Sequence, residues 1–305
     1  LNYTFPDMIE ADDIYGHLRI YQTFKKEWTH NNINYKILPI IEYQFHHPME
    51  IMDAVAKIAT VRNLFTFFAN HYLPLENISF TSTRSESEEN PSPCECVLFL
   101  NSRENIPIPQ EPFLITTAAF SEKFEILWSR WLQIYEEATY IPTLFYEIIC
   151  NRSTRVNRFL NLSQAVEVYS KRYRKENVVE IARMRERTRR DKEPPIHLNH
   201  RFEDIFLLLN PYLEMEESKI SIIAKSLADM RNFFTHYDET KYIEPSYQEM
   251  LAACHVLEFI LLAIIYHDIG ISSKDIKNSK KRIEFQRFDE FIEVLTKDYL
   301  KTTKQ

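Results

Sequence analysis

The segment Ser218–Tyr237, SKISIIAKSLADMRNFFTHY, decides how the fold of this chain is interpreted. Apolar residues recur in it at every third or fourth position, which predicts an amphipathic helix with one buried stripe. The residues of this stripe are Ile220, Ile223, Leu227, Met230 and Phe234. The helix closes on Arg231 and His236, and the residues Glu244-Pro245 that follow indicate that it ends there.

The side chains of Arg231, Asn232 and His236 bring together groups suited to phosphate chemistry. A guanidinium fits a phosphate through two hydrogen bonds, and an imidazole moves protons near neutral pH. Together they could form a metal-free ribonuclease centre. Five residues turn an ideal helix through about 500°, so the two side chains point about 140° apart. They converge only if the helix loosens at His236 or a second copy supplies one of them. Otherwise they simply finish a helix, where the dipole favours a histidine.

Further helices follow one another along the second part of the chain. We predict them at about 121–137, 142–150, 154–175 or beyond, 201–213, 218–236, 246–267 and 287–300. The stretch from Met250 to Tyr266 is apolar nearly all round, as a membrane span is. However, His255 and Glu258 interrupt it, and it is shorter than the roughly 20 residues that span a bilayer. We therefore predict a buried central helix of a bundle.

The first part of the chain has a mixed character. We predict a strand at 37–45, a helix at about 48–70, a polar loop at 81–93 and short strands at 96–100 and 113–117. The fold class expected from the whole sequence is mainly α, with a helical bundle preceded by a smaller mixed α/β segment. The expected domains are 1–119, mixed α/β, and 120–305, helical.

The composition excludes several classes of site. With only two glycines in 305 residues, the chain cannot contain a glycine-rich loop that cradles phosphates. Its 37 Lys and Arg against 44 Asp and Glu give a net charge of -7, so contact with nucleic acid requires a local basic patch. Four cysteines are far fewer than a disulfide framework needs, which predicts a reducing, cytoplasmic environment.

At this point the sequence resembles a known family. The segment Arg231–His236, which closes an apolar helix and precedes a loop and a long buried helix, resembles the RNase motif of HEPN domains. Upstream, Asn157–Glu167 with Tyr169 and Arg172 resembles the first HEPN helix of the ApeA-like branch. The first third is similar to the end of the ApeA N-terminal domain. The resemblance implies a β-rich region before Leu1, so we expect the chain to be truncated at its N-terminus.

The resemblance implies a function and roles for named residues. The family's HEPN domains cleave RNA without metal or cofactor, and they dimerise so that two motifs face one cleft. The expected activity is cleavage of cellular RNA, with tRNA as a candidate, in bacterial abortive infection triggered by phage, without membrane contact. Arg231 and His236 match the catalytic positions, Asn232 the polar one, and Glu167 a supporting acidic position in the first HEPN helix. The alternative is a non-catalytic HEPN module for dimerisation or for RNA or protein binding.

Positive charge is concentrated in two neighbouring stretches, 171–175 and 183–190, which is what an RNA backbone site needs. The predicted RNA-binding residues are Lys171, Arg172, Arg174, Lys175, Arg183, Arg185, Arg187, Arg189 and Arg190. Tyr169 and Tyr173 could offer surfaces for base stacking. The alternative is a solvated helix end and loop rich in arginine.

Two metal-site patterns carry less weight. Cys94 and Cys96 with His46-His47 offer four zinc ligands, but their C-x-C spacing is atypical and no second pair follows, so we predict ordinary thiols. His267-Asp268 resembles the metal-binding dyad of certain phosphohydrolases. Because companion ligands are not evident and Gly270 follows, we predict the end of a helix instead.

Overall fold

A computed structural model describes residues 8–29, 32–71, 73, 75, 77–82, 94–99, 121–150, 154–187, 192–236, 244–282 and 285–302. The chain divides into two compact units, Leu1–Phe113 and Leu114–Gln305. The predicted strand at 113–117 and most of the predicted loop at 81–93 lie outside the described residues. The predicted fold class, mainly α with a small mixed segment in front, is confirmed.

Among its described residues, the first unit combines two antiparallel sheets and one helix. Strands β1 (Met8–Asp12), β2 (Gly16–Thr29) and β3 (Asn32–Phe45) form a meander in that order, and helix α1 (Ile51–Ala69) follows. Strands β4 (Asn77–Ser82) and β5 (Cys94–Phe99) form a separate pair. The sequence predicted β3, α1 and β5, whereas β1, β2 and β4 were missed.

Gly16 stands where the sheet leaves no room for a side chain. The amides of Tyr15 and Gly16 donate to Asp13 Oδ1 over 2.7 and 3.1 Å, which tightens the turn between β1 and β2. A Cβ atom on Gly16 would lie 2.3 Å from the carbonyl oxygen of Gln44 in β3. The first of the two glycines is therefore required by the close pairing of β2 with β3.

The second unit consists of helices. Among the described residues they are α2 (Phe124–Ala138), α3 (Tyr140–Cys150), α4 (Arg155–Tyr173), α5 (Lys175–Arg185), α6 (Leu198–Leu213), α7 (Glu217–His236), α8 (Tyr247–Ile269), α9 (Ser273–Lys280) and α10 (Phe288–Thr302). The long helix predicted from Thr154 breaks at Arg174, so that α4 and α5 are separate elements. Helix α9 was not predicted.

Helix α8 is the core of this unit. Ser246 caps its first turn, where the Glu249 amide donates to Ser246 Oγ over 3.2 Å and the Ser246 amide donates to Glu249 Oε2 over 2.7 Å. Gly270 ends it with φ of 90°, a conformation that favours glycine. By length and composition α8 resembles a membrane span, but 83% of its most apolar window is buried inside the unit. The predicted buried helix is confirmed.

Helices α6 and α7 form an antiparallel hairpin that presents the candidate site. Glu214 adopts φ of 58° directly after α6, and the amide of Met215 donates to Asn210 Oδ1 over 2.9 Å, so the chain reverses within residues 214–216. Both helices pack on α4. As a result, the end of α7 lies beside the start of α6 and the middle of α4.

Candidate active site

The motif that closes α7 lies on regular helix up to its last residue. The side chain of Arg231 is 31% exposed, Asn232 is partly buried and His236 is exposed. The hydroxyl of Thr235 donates to the carbonyl oxygen of Arg231 over 2.8 Å, which ties the last turn together. Because the helix does not loosen before His236, the ideal-helix angle of about 140° between Arg231 and His236 applies. One chain alone therefore does not aim both side chains at one point.

Glu167 of α4 holds the guanidinium of Arg231. Arg231 Nη2 lies 3.5 Å from Glu167 Oε2, and Lys171 Nζ lies 2.6 Å from Glu167 Oε1. The Glu167 carboxylate is 17% exposed, so water screens it only in part. Helix α7 rests on α4 beside this contact, with the ring of Phe234 edge-on to Phe159 at a centroid distance of 6.4 Å. The structure thus brings together the predicted catalytic Arg231 and the predicted supporting Glu167.

Arg201 joins this cluster, and sequence reasoning missed it. It stands in the first turn of α6 and its side chain is partly buried. Burial lowers the pKa of the Arg201 guanidinium, while the charge of Glu167 raises it. Nothing in the local sequence distinguishes Arg201 from the other arginines of the chain. Its position becomes meaningful only once α4, α6 and α7 are packed together.

Two of the predicted RNA-binding arginines are tied to carboxylates of α6. Arg174 donates through Nε and Nη2 to the two oxygens of Asp204, over 3.0 and 2.9 Å. Arg185 forms a similar two-point contact with Glu203, with Nε 3.0 Å from Oε1. Both carboxylate side chains are only 3% exposed, and these hydrogen bonds raise the pKa of each guanidinium. The two arginines therefore hold α4 and α5 against α6.

The remaining basic residues divide by exposure. The described ones that are exposed are Lys171, Arg172, Lys175 and Arg187, whereas Arg183 is partly buried. Arg189 and Arg190 lie outside the described residues. The stacking role expected for Tyr169 is wrong, because its ring is 4% exposed and its hydroxyl donates to Asp268 Oδ1 over 3.1 Å. Tyr173 is more exposed, at 36%, and its hydroxyl donates to Glu137 Oε2 over 3.2 Å.

The two metal-site patterns find no companions within the described part of the chain, where no group of three or more His, Cys, Asp or Glu residues could hold a metal. His267 Nδ1 lies 2.7 Å from the hydroxyl of Tyr212, and Asp268 is bonded to Tyr169. Burial raises the pKa of the Asp268 carboxyl. These contacts agree with the interpretation of the His267-Asp268 pair as part of a helix end. The Cys94 and Cys96 side chains lie outside the described residues.

Comparison with known proteins finds a family similarity over part of the chain. Residues 160–275 match the family model described as Apea-like HEPN. The match runs from within α4 into α9, and it contains Glu167, Arg201, Arg231 and His236. No curated protein and no solved structure matches the chain. HEPN domains are commonly ribonucleases, and an RNase-type or nucleotide-binding function is the class that the match supports.

Proposed function

We propose that the chain is a metal-independent endoribonuclease, on the premise that residues 160–275, which match the Apea-like HEPN model, form a domain of this kind. The observation that carries the proposal is the contact between Arg231 and Glu167, which holds a guanidinium near the end of the helix that terminates in the exposed His236. Cleavage of a phosphodiester without metal requires a positioned positive charge and a side chain that transfers a proton, and Arg231 and His236 are side chains of these two kinds.

The chemistry follows from these side chains. The ribose 2′-oxygen attacks the neighbouring phosphorus, the 5′-oxygen leaves, and the product ends in a 2′,3′-cyclic phosphate. In our proposal His236 either takes the proton from the 2′-hydroxyl as general base or gives a proton to the leaving 5′-oxygen as general acid. Arg231 stabilises the charge that accumulates on the phosphate oxygens, and Asn232 orients the two. The substrate is cellular RNA, with tRNA as the first candidate.

We further propose that the site is completed by a second copy. Arg231 and His236 point about 140° apart on an unbroken helix, so a homodimer in which two α7 ends face each other supplies the missing half. The exposed residues Arg172, Lys175 and Arg187 then guide the RNA backbone toward the groove. We place this activity in the cytoplasm, as part of an anti-phage response with a phage-derived trigger.

The test is RNA cleavage by the purified chain in EDTA, with bulk tRNA as substrate. We expect His236→Ala and Arg231→Ala each to abolish cleavage, while His47→Ala, an exposed histidine of the first unit, matches the wild type. Products with 2′,3′-cyclic phosphate ends are expected. Undiminished cleavage by both α7 variants would refute the proposed site, and cleavage that needs added metal would refute the proposed mechanism.

Mixing the two inactive variants tests the shared site. If Arg231 of one copy works with His236 of the other, a heterodimer of the two variants contains one intact pair. Random assembly makes half of the dimers heterodimers, each with one of two sites, so about a quarter of wild-type activity returns. No recovery in a mixture that has exchanged subunits would show that each chain works alone. If the wild type binds RNA and dimerises without cleaving it, the non-catalytic HEPN module is the correct alternative.

A further inference from the structure

Arg201 carries a partly buried charge, and no hydrogen bond or ion pair with a described residue neutralises it. By contrast, Arg174 and Arg185 on the neighbouring helices each bind a carboxylate at two points. Removing a guanidinium from water without a partner is unfavourable. An external anion would supply the missing partner.

The hairpin places Arg201 level with Arg231. Arg201 lies 13 residues before Glu214, and Arg231 lies 14 residues after Glu217, so each is about 20 Å from the turn along its helix. Both helices pack on α4, which contributes Glu167. Glu167 binds Arg231 directly, and its charge acts on Arg201 as well. Arg201 and Arg231 therefore lie on the same side of the domain, next to one carboxylate.

The charge of this cluster is positive. Glu167 contributes one negative charge, whereas Arg201, Arg231 and Lys171 contribute three positive charges, which leaves two in excess. One phosphodiester carries a single negative charge. The excess fits two successive phosphates of an RNA backbone, one on Arg231 and one beside it.

We propose that Arg201 is a phosphate-binding residue of the α7 site and receives the backbone phosphate next to the one on Arg231. This inference rests on the proposed function, because it assigns the same groove to RNA. It adds a residue of α6 to the site, which neither the sequence pattern Arg-x4-His nor the basic stretch 171–190 contains. It also gives the groove a direction, since the RNA backbone passes from the end of α7 to the start of α6.

Binding, not cleavage, tests the proposal. All variants carry His236→Ala, so that RNA stays intact, and the probe is a short fluorescent single-stranded RNA of mixed sequence. We expect Arg201→Gln to weaken binding about tenfold, since a hydrogen-bonded charge contact is lost. The dependence of log K on log salt concentration should become shallower by about 0.7, the value for one phosphate contact with a single strand. Lys277→Gln removes one positive charge from α9, where Lys277 pairs with Glu214 just beyond the opposite end of α6, and it should leave both quantities unchanged.

Stability separates a binding role from a structural one. A partly buried arginine without a partner does not stabilise the fold, so Arg201→Gln should unfold at the same temperature as its parent or at a higher one. Arg201→Lys retains the charge, and we expect it to keep the salt dependence while losing part of the affinity. The proposal would be overturned if Arg201→Gln bound the RNA with the same affinity as Lys277→Gln. It would also be overturned if Arg201→Gln lost affinity only together with a lower unfolding temperature. Weakened binding by a stable Arg201→Gln supports it even if the wild type cleaves no RNA.

Discussion

Replacing Arg174 by methionine tests whether this arginine belongs to the fold or to the RNA site. Its partner Asp204 is 3% exposed and Arg174 itself 21%, so the carboxylate cannot reach water once the guanidinium is gone. Breaking a buried pair in this way costs about 3–5 kcal/mol. The helical unit from Leu114 to Gln305 has 192 residues. For a domain of this size each kcal/mol lowers the unfolding temperature by about 2–4 °C, so we expect a loss of roughly 6–20 °C.

The measurement is thermal unfolding followed by helical circular dichroism, with Arg172→Met as the matched control. Arg172 is exposed on the same turn, and its replacement should change stability by less than about 0.5 kcal/mol. The double variant Arg174→Met/Asp204→Leu removes both charges and should recover most of the loss. If Arg174→Met is no less stable than Arg172→Met, Arg174 does not hold the helices together and returns to the RNA-binding set.

Three further predictions concern groups that are buried or partly buried. Glu167→Gln loses the ion pair that holds Arg231, so we expect single-turnover RNA cleavage to slow about tenfold. RNA should bind no more weakly, since a negative charge is removed from an anion site. A parallel loss of binding and of cleavage rate would contradict the positioning role of Glu167. Burial raises the pKa of Cys254 to about 12, so iodoacetamide at mildly alkaline pH should label this thiol only after unfolding. Peptide mass spectrometry measures the labelling, and rapid labelling of the native chain would contradict the burial of Cys254. Burial lowers the pKa of His200 from 6.5, so the unfolded chain binds the proton first and His200 contributes stability that is lost as the pH falls below about 6.5. The variant His200→Asn, whose side-chain oxygen can still accept from the His197 amide, should therefore show a smaller decline of the urea midpoint with falling pH. An unchanged decline would refute this.

The helical half was predictable because its signals are local. The stripe of α7 repeats with the period of a helix, and the apolar run of α8 is too long and too uniform for a strand. The break between α4 and α5 at Arg174 escaped the sequence because no proline or glycine marks it. In the structure Arg174 binds Asp204 at two points, and that long-range contact has no sequence signal.

The first strands escaped prediction for a different reason. Strand β2, GHLRIYQTFKKEWT, contains a run of three charged residues from Lys25 to Glu27 that hides its alternation. Pairing in a sheet depends on partners elsewhere in the chain, here β1 and β3, so a strand with weak alternation is recognised only together with its neighbours. The close approach of Gly16 to Gln44 was likewise invisible before the strands were paired.

In the candidate site, too, the residues with a local sequence signal could be predicted, whereas those defined by long-range contacts could not. Arg231 and His236 could be selected by their spacing and resemblance, and Glu167 by its position in the first HEPN helix. The sequence could not show which basic residues are available to RNA and which form internal ion pairs. A run of charged residues has the same sequence whether its side chains face water or a buried carboxylate. Arg174 and Arg187 both belong to the run, yet the first is bound at two points by Asp204 while the second is exposed.

The way an arginine is held therefore indicates what it can do. The chain has two glycines, and both serve the fold. Gly16 lies where β2 pairs closely with β3, and Gly270 ends a helix, so phosphate recognition falls to side chains. A guanidinium has five N–H donors. In Arg174 the bidentate pair with Asp204 occupies the edge that would grip a phosphate, whereas Arg231 touches Glu167 through one atom at 3.5 Å and keeps its remaining donors. Arg201 keeps all of them among the described residues. We therefore expect the contribution to RNA binding to increase from Arg174 to Arg231 to Arg201, as the internal ion pairing weakens, and the salt dependence of binding measures that order directly.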